Sequence, residues 1–159
     1  MILEAPHRDL FVSTEPQGGI LTDLFAENLP LNILIAEDDF INQKLIENIL
    51  HRLGYRTDTV STGIQVLNSL TKKDYNVILM DVRMPEMGGF EATQVIRQME
   101  IEQPYIIAMT ANSMANDREE CLNIGMNDYV AKPMRIAEII KTLINASTFI
   151  TEKNKILIN

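Results

Sequence analysis

Asn32-Ile33-Leu34-Ile35-Ala36 runs directly into Glu37-Asp38-Asp39, and Asn76-Val77-Ile78-Leu79-Met80 runs into Asp81 in the same way. Each is a short, continuous apolar run that stops at an acid. A strand with only one face against a core alternates apolar and polar residues, whereas one covered on both faces reads as an unbroken apolar run. A similar run recurs at 105 to 109 (Tyr-Ile-Ile-Ala-Met), and two more polar strands are read at 127 to 130 and 55 to 60. Between them the apolar spacing changes to the helical period, over 40 to 53, 62 to 72, 90 to 99, 113 to 124 and 134 to 146. Ile41, Leu45, Ile49 and Leu53 recur every four residues in the first of these, and Gly54 follows where a left-handed cap is wanted. Pro133 precedes the last, whose stripe is Ile136, Ile139, Ile140, Leu143 and Ile144.

This alternation predicts an α/β fold, a doubly wound five-stranded parallel sheet with right-handed crossover helices. Arg56, Thr57, Asp58 and Thr59 make the second strand too polar for burial on both faces, so it belongs at an edge. The order 2-1-3-4-5 puts it there. Residues 1 to 31 differ in kind. They carry one basic residue, Arg8, against Glu4, Asp9, Glu15, Asp23 and Glu27, a net of −4 without sustained periodicity. That is the composition of a linker or N-terminal arm, in which Ile20, Leu21, Leu24 and Phe25 could form one docked turn. The domain is expected over 32 to 146, with 147 to 159 as a C-terminal tail too short to bind DNA.

The whole chain has 159 residues, 46% hydrophobic, with 14 Lys and Arg against 22 Asp and Glu for a formal charge of −8. Nucleic acid and anionic membranes are therefore poor partners. The single cysteine, Cys121, makes no internal disulfide, is expected in the core, and suits a reducing cytosol. No apolar run reaches a membrane span, and Glu4, His7, Arg8 and Asp9 interrupt any signal-peptide pattern. The piece is expected to be soluble and cytoplasmic, without direct membrane contact, any anchor belonging to a parent chain.

In doubly wound sheets the working crevice lies at the carboxyl ends of the strands. Those ends deliver Glu37-Asp38-Asp39, Asp81, Thr110 and Lys132-Pro133. Two carboxylates about 4 Å apart repel by roughly 4 kcal/mol at an effective dielectric of 20, so gathering Glu37, Asp38 and Asp81 needs compensation. A hard divalent cation with oxygen ligands and open positions, Mg²⁺, supplies it. Lys132 adds a counter-charge and can hold an anionic oxygen, and Thr110 can donate to the same group. Such a set suits phosphoryl transfer to a carboxylate nucleophile. Singly, Asp39 reads as the cap of the first helix, Asp81 as a turn cap, Thr110 as a helix cap and Lys132 as a surface lysine. Together at strand ends they read as a site. The Lys132-Pro133 bond is a candidate for the cis form. Met84 and Met87, in the turn-rich loop Met84-Pro85-Glu86-Met87-Gly88-Gly89, read as packing, as does Tyr129 on pattern alone.

Ile33-Leu34-Ile35-Ala36-Glu37-Asp38-Asp39, Val77 to Pro85 around Asp81, Met109-Thr110-Ala111 and Tyr129-Val130-Ala131-Lys132-Pro133 together resemble the receiver domain of two-component response regulators, with a flavodoxin-like fold, over about residues 32 to 146. The resemblance implies that Asp81 is the phosphoacceptor. It makes Asp38 and Asp81 direct Mg²⁺ ligands, with Glu37 acting through water and the Arg83 carbonyl completing the protein ligands. It also implies that Thr110 and Lys132 contact the phosphoryl group and that Tyr129 follows the shift of Thr110. Glu37 at the first acidic position, Asn42-Gln43-Lys44-Leu45 and Met109-Thr110-Ala111-Asn112 are similar to receivers of hybrid histidine kinases. Gly88 stands where the family often has Asp or Asn. The implied donor is the phosphohistidine of a histidine kinase or phosphotransfer domain, and the implied product hydrolyses its own phosphoaspartate instead of acting on external substrates. A stand-alone single-domain regulator is the alternative context. A haloacid-dehalogenase-like phosphatase expects Asp-x-Asp at the nucleophile, where this chain has Asp81-Val82-Arg83. A flavodoxin-like FMN binder needs a first loop that cradles phosphate, which Glu37-Asp38-Asp39 would repel. A phosphorylation-independent module has no use for the full acidic and lysine set.

Overall fold

The computed structural model describes residues 25–111 and 115–158. Five strands, β1 (Ile33–Ala36), β2 (Thr57–Val60), β3 (Val77–Asp81), β4 (Tyr105–Thr110) and β5 (Asp128–Ala131), form one all-parallel sheet in the order β2-β1-β3-β4-β5. The helices between and after them are α1 (Phe40–Arg52), α2 (Gly63–Leu70), α3 (Gly89–Gln98), α4 (Ala115–Ile124) and α5 (Ile136–Ile158). Fold and strand order are those expected from the apolar runs. β2 and β5 are the edge strands, and both are partly exposed along their length, β2 the more so.

Alternation within each unbroken apolar run sorts side chains into two cores. Ile33, Ile35, Val77, Leu79, Ile107 and Met109 pack with Ile46, Ile49 and Leu50 of α1 and Ile139, Leu143 and Ala146 of α5. Leu34, Ala36, Ile78, Met80, Ile106 and Ala108 pack with Val66 and Leu70 of α2, Ala92 and Ile96 of α3, and Cys121 of α4. Cys121 is the buried core residue its spacing suggested. The end of α1 is fixed as read. Gly54 adopts φ 96°, its amide reaches the His51 carbonyl at 2.9 Å, and the Tyr55 amide reaches that of Leu50 at 2.9 Å. This six-residue closure requires the left-handed conformation that glycine takes without a Cβ penalty.

The structure differs from expectation at both ends. α5 was expected over 134 to 146, yet it continues to Ile158, about 35 Å in all. No Gly or Pro stops it. Its extension finds new partners beyond the stripe, for Phe149 meets Tyr105 edge-on at 5.4 Å and Lys153 lies 3.9 Å from Glu102. Ahead of β1, residues 25–28 form a helical turn. Phe25 is buried in the α1/α5 core, 6.2 Å edge-on from Tyr55, and the Tyr55 hydroxyl donates to the Leu29 carbonyl at 2.6 Å. Ile20, Leu21 and Leu24, grouped with Phe25 in the sequence reading, lie outside the described residues. Among the described residues no helix is long and apolar enough to cross a membrane.

Candidate functional site

Asp81 ends β3, Thr110 ends β4, Glu37 and Asp38 follow β1, and Lys132 follows β5. All five line one cleft of about 840 Å³ at the carboxyl edge of the sheet, with Asp39, Asn42, Arg83, Asp117 and Glu120 among the other lining residues. Parallel pairing brings them together. The registers Ala36↔Met80, Asp81↔Met109 and Thr110↔Ala131 bring the ends of four strands level, so that residues 44 and 51 positions apart in sequence become neighbours.

Glu37 is fully buried. Its Oε2 accepts the Asp39 amide at 3.0 Å. Its Oε1 lies 3.0 Å from Lys132 Nζ as an ion pair but accepts no aligned hydrogen bond, so its lone pairs are available to a further partner. Lys132 Nζ donates to Asp81 Oδ2 at 3.1 Å, and the Arg83 amide donates to Asp81 Oδ1 at 3.2 Å. One carboxylate oxygen from each of Glu37, Asp38 and Asp81 falls within 4.8 Å of the others. Two of the three acids thus pair with one ammonium, and the third, Asp38, stands beside them.

The charge imbalance appears in the titration of Asp81, whose pKa is pushed from 3.8 up to about 6. Burial is the larger cause and the Glu37 charge the second, opposed by the hydrogen bonds from Lys132 and the Arg83 amide. Burial acts to lower the pKa of Lys132, but its pairing with Glu37 and Asp81 outweighs this and raises it. A buried acid with an unshared lone pair, beside two more carboxylates, fits a hard divalent cation that takes oxygen ligands.

Asp39 is the cap it was read to be, its Oδ1 accepting the Asn42 amide at 2.9 Å ahead of α1. The Lys132–Pro133 bond is cis. Met84 and Met87 pack against the α2/α3/α4 core. Tyr129 is not part of the cleft. It lies half-buried beside a separate groove shared with Arg118, Glu138, Lys141 and Asn145, and the Arg118 guanidinium sits 5.8 Å from its ring centroid. Asn112, the last residue of the Met109-Thr110-Ala111-Asn112 run, lies outside the described residues.

Two contributors went unnoticed in the sequence. A Cβ at Gly89 would run into the Asp81 carbonyl, so the close seat of α3 beneath the site needs a residue without one. The Gly88-Gly89 pair at a helix start was the available signal. Gln43 donates from its amide to the Glu37 carbonyl and to Ser61 Oγ, and nothing in the local sequence foretells a bridge to residue 61.

Comparison with known proteins agrees with this geometry. Residues 33–144 match the model of the response regulator receiver domain. The chain is 40% identical over 124 residues to hybrid signal transduction histidine kinase B of Dictyostelium discoideum, covering 70% of this chain and 6% of the kinase. The chain therefore spans only a small part of that curated relative. Among solved structures, the receiver domain of a sensor histidine kinase from Pseudomonas aeruginosa, described with magnesium coordinated in its active site cleft, is 45% identical with a TM-score of 0.68, covering 74% of this chain and 98% of that one. A Saccharomyces cerevisiae response regulator receiver, solved with its histidine phosphotransfer protein, is 26% identical with a TM-score of 0.68 over 74% of this chain and 89% of that one. With strand order, carboxyl-edge acids and lysine all in agreement, the chain belongs to the response regulator receiver domain family.

Proposed function

We propose that Asp81 accepts a phosphoryl group from the phosphohistidine of a histidine kinase or phosphotransfer domain, with Mg²⁺ as cofactor, and that this chain is the receiver part of a hybrid sensor histidine kinase. The observation that carries the reading is the single ammonium of Lys132 placed 3.0 Å from Glu37 and 3.1 Å from Asp81 beside a third acid, Asp38. A structural ion pair needs no third carboxylate, and repulsion among the three is a standing cost. Asp38 and Asp81 would hold Mg²⁺ directly, with Glu37 acting through water and the Arg83 carbonyl as the remaining protein ligand. When bound, the ion neutralises charge on the transferring oxygens.

The protein's own residues supply the rest. With a pKa of about 6, Asp81 is mostly ionised near pH 7 and is a competent oxygen nucleophile. The bond from phosphorus to the donor's imidazole nitrogen breaks as the bond to an Asp81 oxygen forms, and the electron pair returns to the imidazole. Lys132, now bound to Asp81 Oδ2, is within reach of an oxygen of the incoming group, and Thr110 lines the same cleft. Hydrolysis of the phosphoaspartate resets the site. Tyr129, in the groove between α4 and α5, would report the shift of Thr110 to a downstream partner. The residues ahead of the docked turn at 25–28 would serve as interdomain linker or arm in a parent that presents this domain to the cytoplasm.

Incubation with acetyl phosphate and Mg²⁺ tests the reading by intact mass. The wild type gains one phosphoryl group and Asp81→Asn gains none. Equal labelling of the two, or labelling of the wild type in EDTA, refutes it.

A further inference from the structure

At the carboxyl end of β1 the hydrogen-bond ladder runs out. Ala36 pairs with Val60, and the Glu37 amide still reaches the Val60 carbonyl at 3.0 Å. β2 then turns away at Ser61 into α2, so no strand residue remains to serve the Glu37 carbonyl. Glu37 is fully buried, and an unmet carbonyl there would cost about 1–3 kcal/mol.

Gln43, from the first turn of α1, supplies the missing donor. Its Nε2 donates to the Glu37 carbonyl and to Ser61 Oγ at 3.2 Å, which uses both hydrogens of the amide. Ser61 is itself held, its amide donating to Gln65 Oε1 at 2.7 Å. Gln65 in turn donates its amide to the capping Thr62 Oγ1 at 3.1 Å. The bridge runs from α1 across the end of β1 to the start of α2. Its anchor is the peptide between Glu37 and Asp38, whose orientation sets the direction in which the Asp38 side chain leaves the backbone. On the far side of that residue the Asp39 amide is tied to Glu37 Oε2 at 3.0 Å. Asp38, the exposed member of the acid group, thus sits in a turn clamped at both ends, and Gln43 is one clamp.

We propose that Gln43 is a positioning residue for the acidic pair: by pinning the Glu37 carbonyl against the Ser61 hydroxyl it aims Asp38 at the cation without touching it. This rests on the reading that Glu37, Asp38 and Asp81 bind Mg²⁺. Gln43→Met keeps length and volume and removes both donors. In the full chain, Mg²⁺ titration followed by amide NMR should give a dissociation constant about tenfold above wild type, the scale found when partners that orient metal ligands are removed. Ser61→Ala, which deletes one anchor and leaves the amide, should fall between the two, and it carries the test if Gln43→Met does not fold. Urea unfolding in EDTA separates positioning from stability. A purely structural role lowers the urea midpoint and leaves the Mg²⁺ affinity of the folded protein unchanged. Affinities of both variants within twofold of wild type overturn the proposal. Failure of the wild type itself to bind Mg²⁺, or wild-type affinity in Asp38→Ala, instead removes the metal reading beneath it.

Discussion

In the metal-free state, Asp81 should make this domain less stable as pH rises, and Asp81→Asn should abolish the effect. Lys132, 3.1 Å away, attracts the Asp81 carboxylate by about 5 kcal/mol at an effective dielectric of 20, while a second carboxylate within 4.8 Å repels it by about 3.5 kcal/mol or more. Lys132 is shared with Glu37, and burial removes hydration from all three groups. The balance is a pKa moved from 3.8 to about 6. Two units correspond to about 3 kcal/mol between protonation states. For the sign, between pH 4 and 6 the folded state binds more protons on this group than the unfolded state, so stability falls as pH rises through that window. Below pH 4 Asp81 is protonated in both states and nothing is lost.

The assay is urea unfolding of wild type and Asp81→Asn in EDTA at half-unit steps from pH 4 to 8. The pH-dependent part of their difference should grow from near zero at pH 4 to about 3 kcal/mol above pH 7, on the order of 10 °C in melting temperature for a chain of this size. Mg²⁺ at a hundredfold excess over its dissociation constant should return about 2.7 kcal/mol to the wild type and little to the variant. A stability difference that stays flat from pH 4.5 to 8 would show that Lys132 fully compensates Asp81, and the electrostatic account of the cleft would be wrong.

Asp38→Ala should lose Mg²⁺ binding with the fold intact, and its metal-free form should be at least as stable as wild type because one repelling acid is gone; wild-type metal titration by NMR would exclude Asp38 as a ligand. Beryllofluoride with Mg²⁺ should move amide resonances at 111 and over 115 to 142, around α4, β5 and the start of α5, and fixed shifts there would contradict a switch read at that face. Phe25→Ala should destabilise the full chain by about 3 kcal/mol, the low end for a buried aromatic truncated at the margin of a core. A change below 0.5 kcal/mol in urea unfolding would mean that the turn at 25–28 is not held by its contact with Tyr55.

The fold was legible because burial on both faces leaves a plain mark. Ile33 to Ala36 and Val77 to Met80 have no polar residue to spare, while Thr57, Asp58 and Thr59 announce an edge. The site was legible because parallel pairing delivers strand ends to one edge, so Glu37, Asp38, Asp81, Thr110 and Lys132 could be grouped before any distance was known. What escaped is held by contacts between segments whose local patterns are weak. The continuation of α5 depends on Tyr105 and Glu102 as partners for Phe149 and Lys153. Phe25 was readable as part of a docked turn, but its partner Tyr55, 30 residues on, was not, and the Gln43 bridge depends on where β2 turns away. Periodicity carries none of this.

The charge arithmetic of the cleft links the resting geometry to the proposed signal. At its centre Glu37, Asp38 and Asp81 contribute −3 and Lys132 contributes +1, a net of −2 that a divalent cation would offset, while Asp39, Asp117 and Glu120 against Arg83 leave the surrounding lining negative. Phosphorylation replaces the single charge of the Asp81 carboxylate with a group of about −1.5 to −2, which reopens the deficit by up to one unit. Lys132 can follow the charge from Asp81 onto a phosphoryl oxygen, but it stays shared with the buried Glu37 and so meets only part of the new charge. The rest would draw donors from the remaining cleft lining, which includes Arg83 after β3 and Thr110 and Ala111 at the end of β4. The end of β4 is continuous through β5 with the groove beside Tyr129. A phosphoryl group whose charge Lys132 meets only in part would therefore pull on Thr110 at the end of β4, and through β5 that pull leads from the cleft to the proposed switch face of α4, β5 and α5.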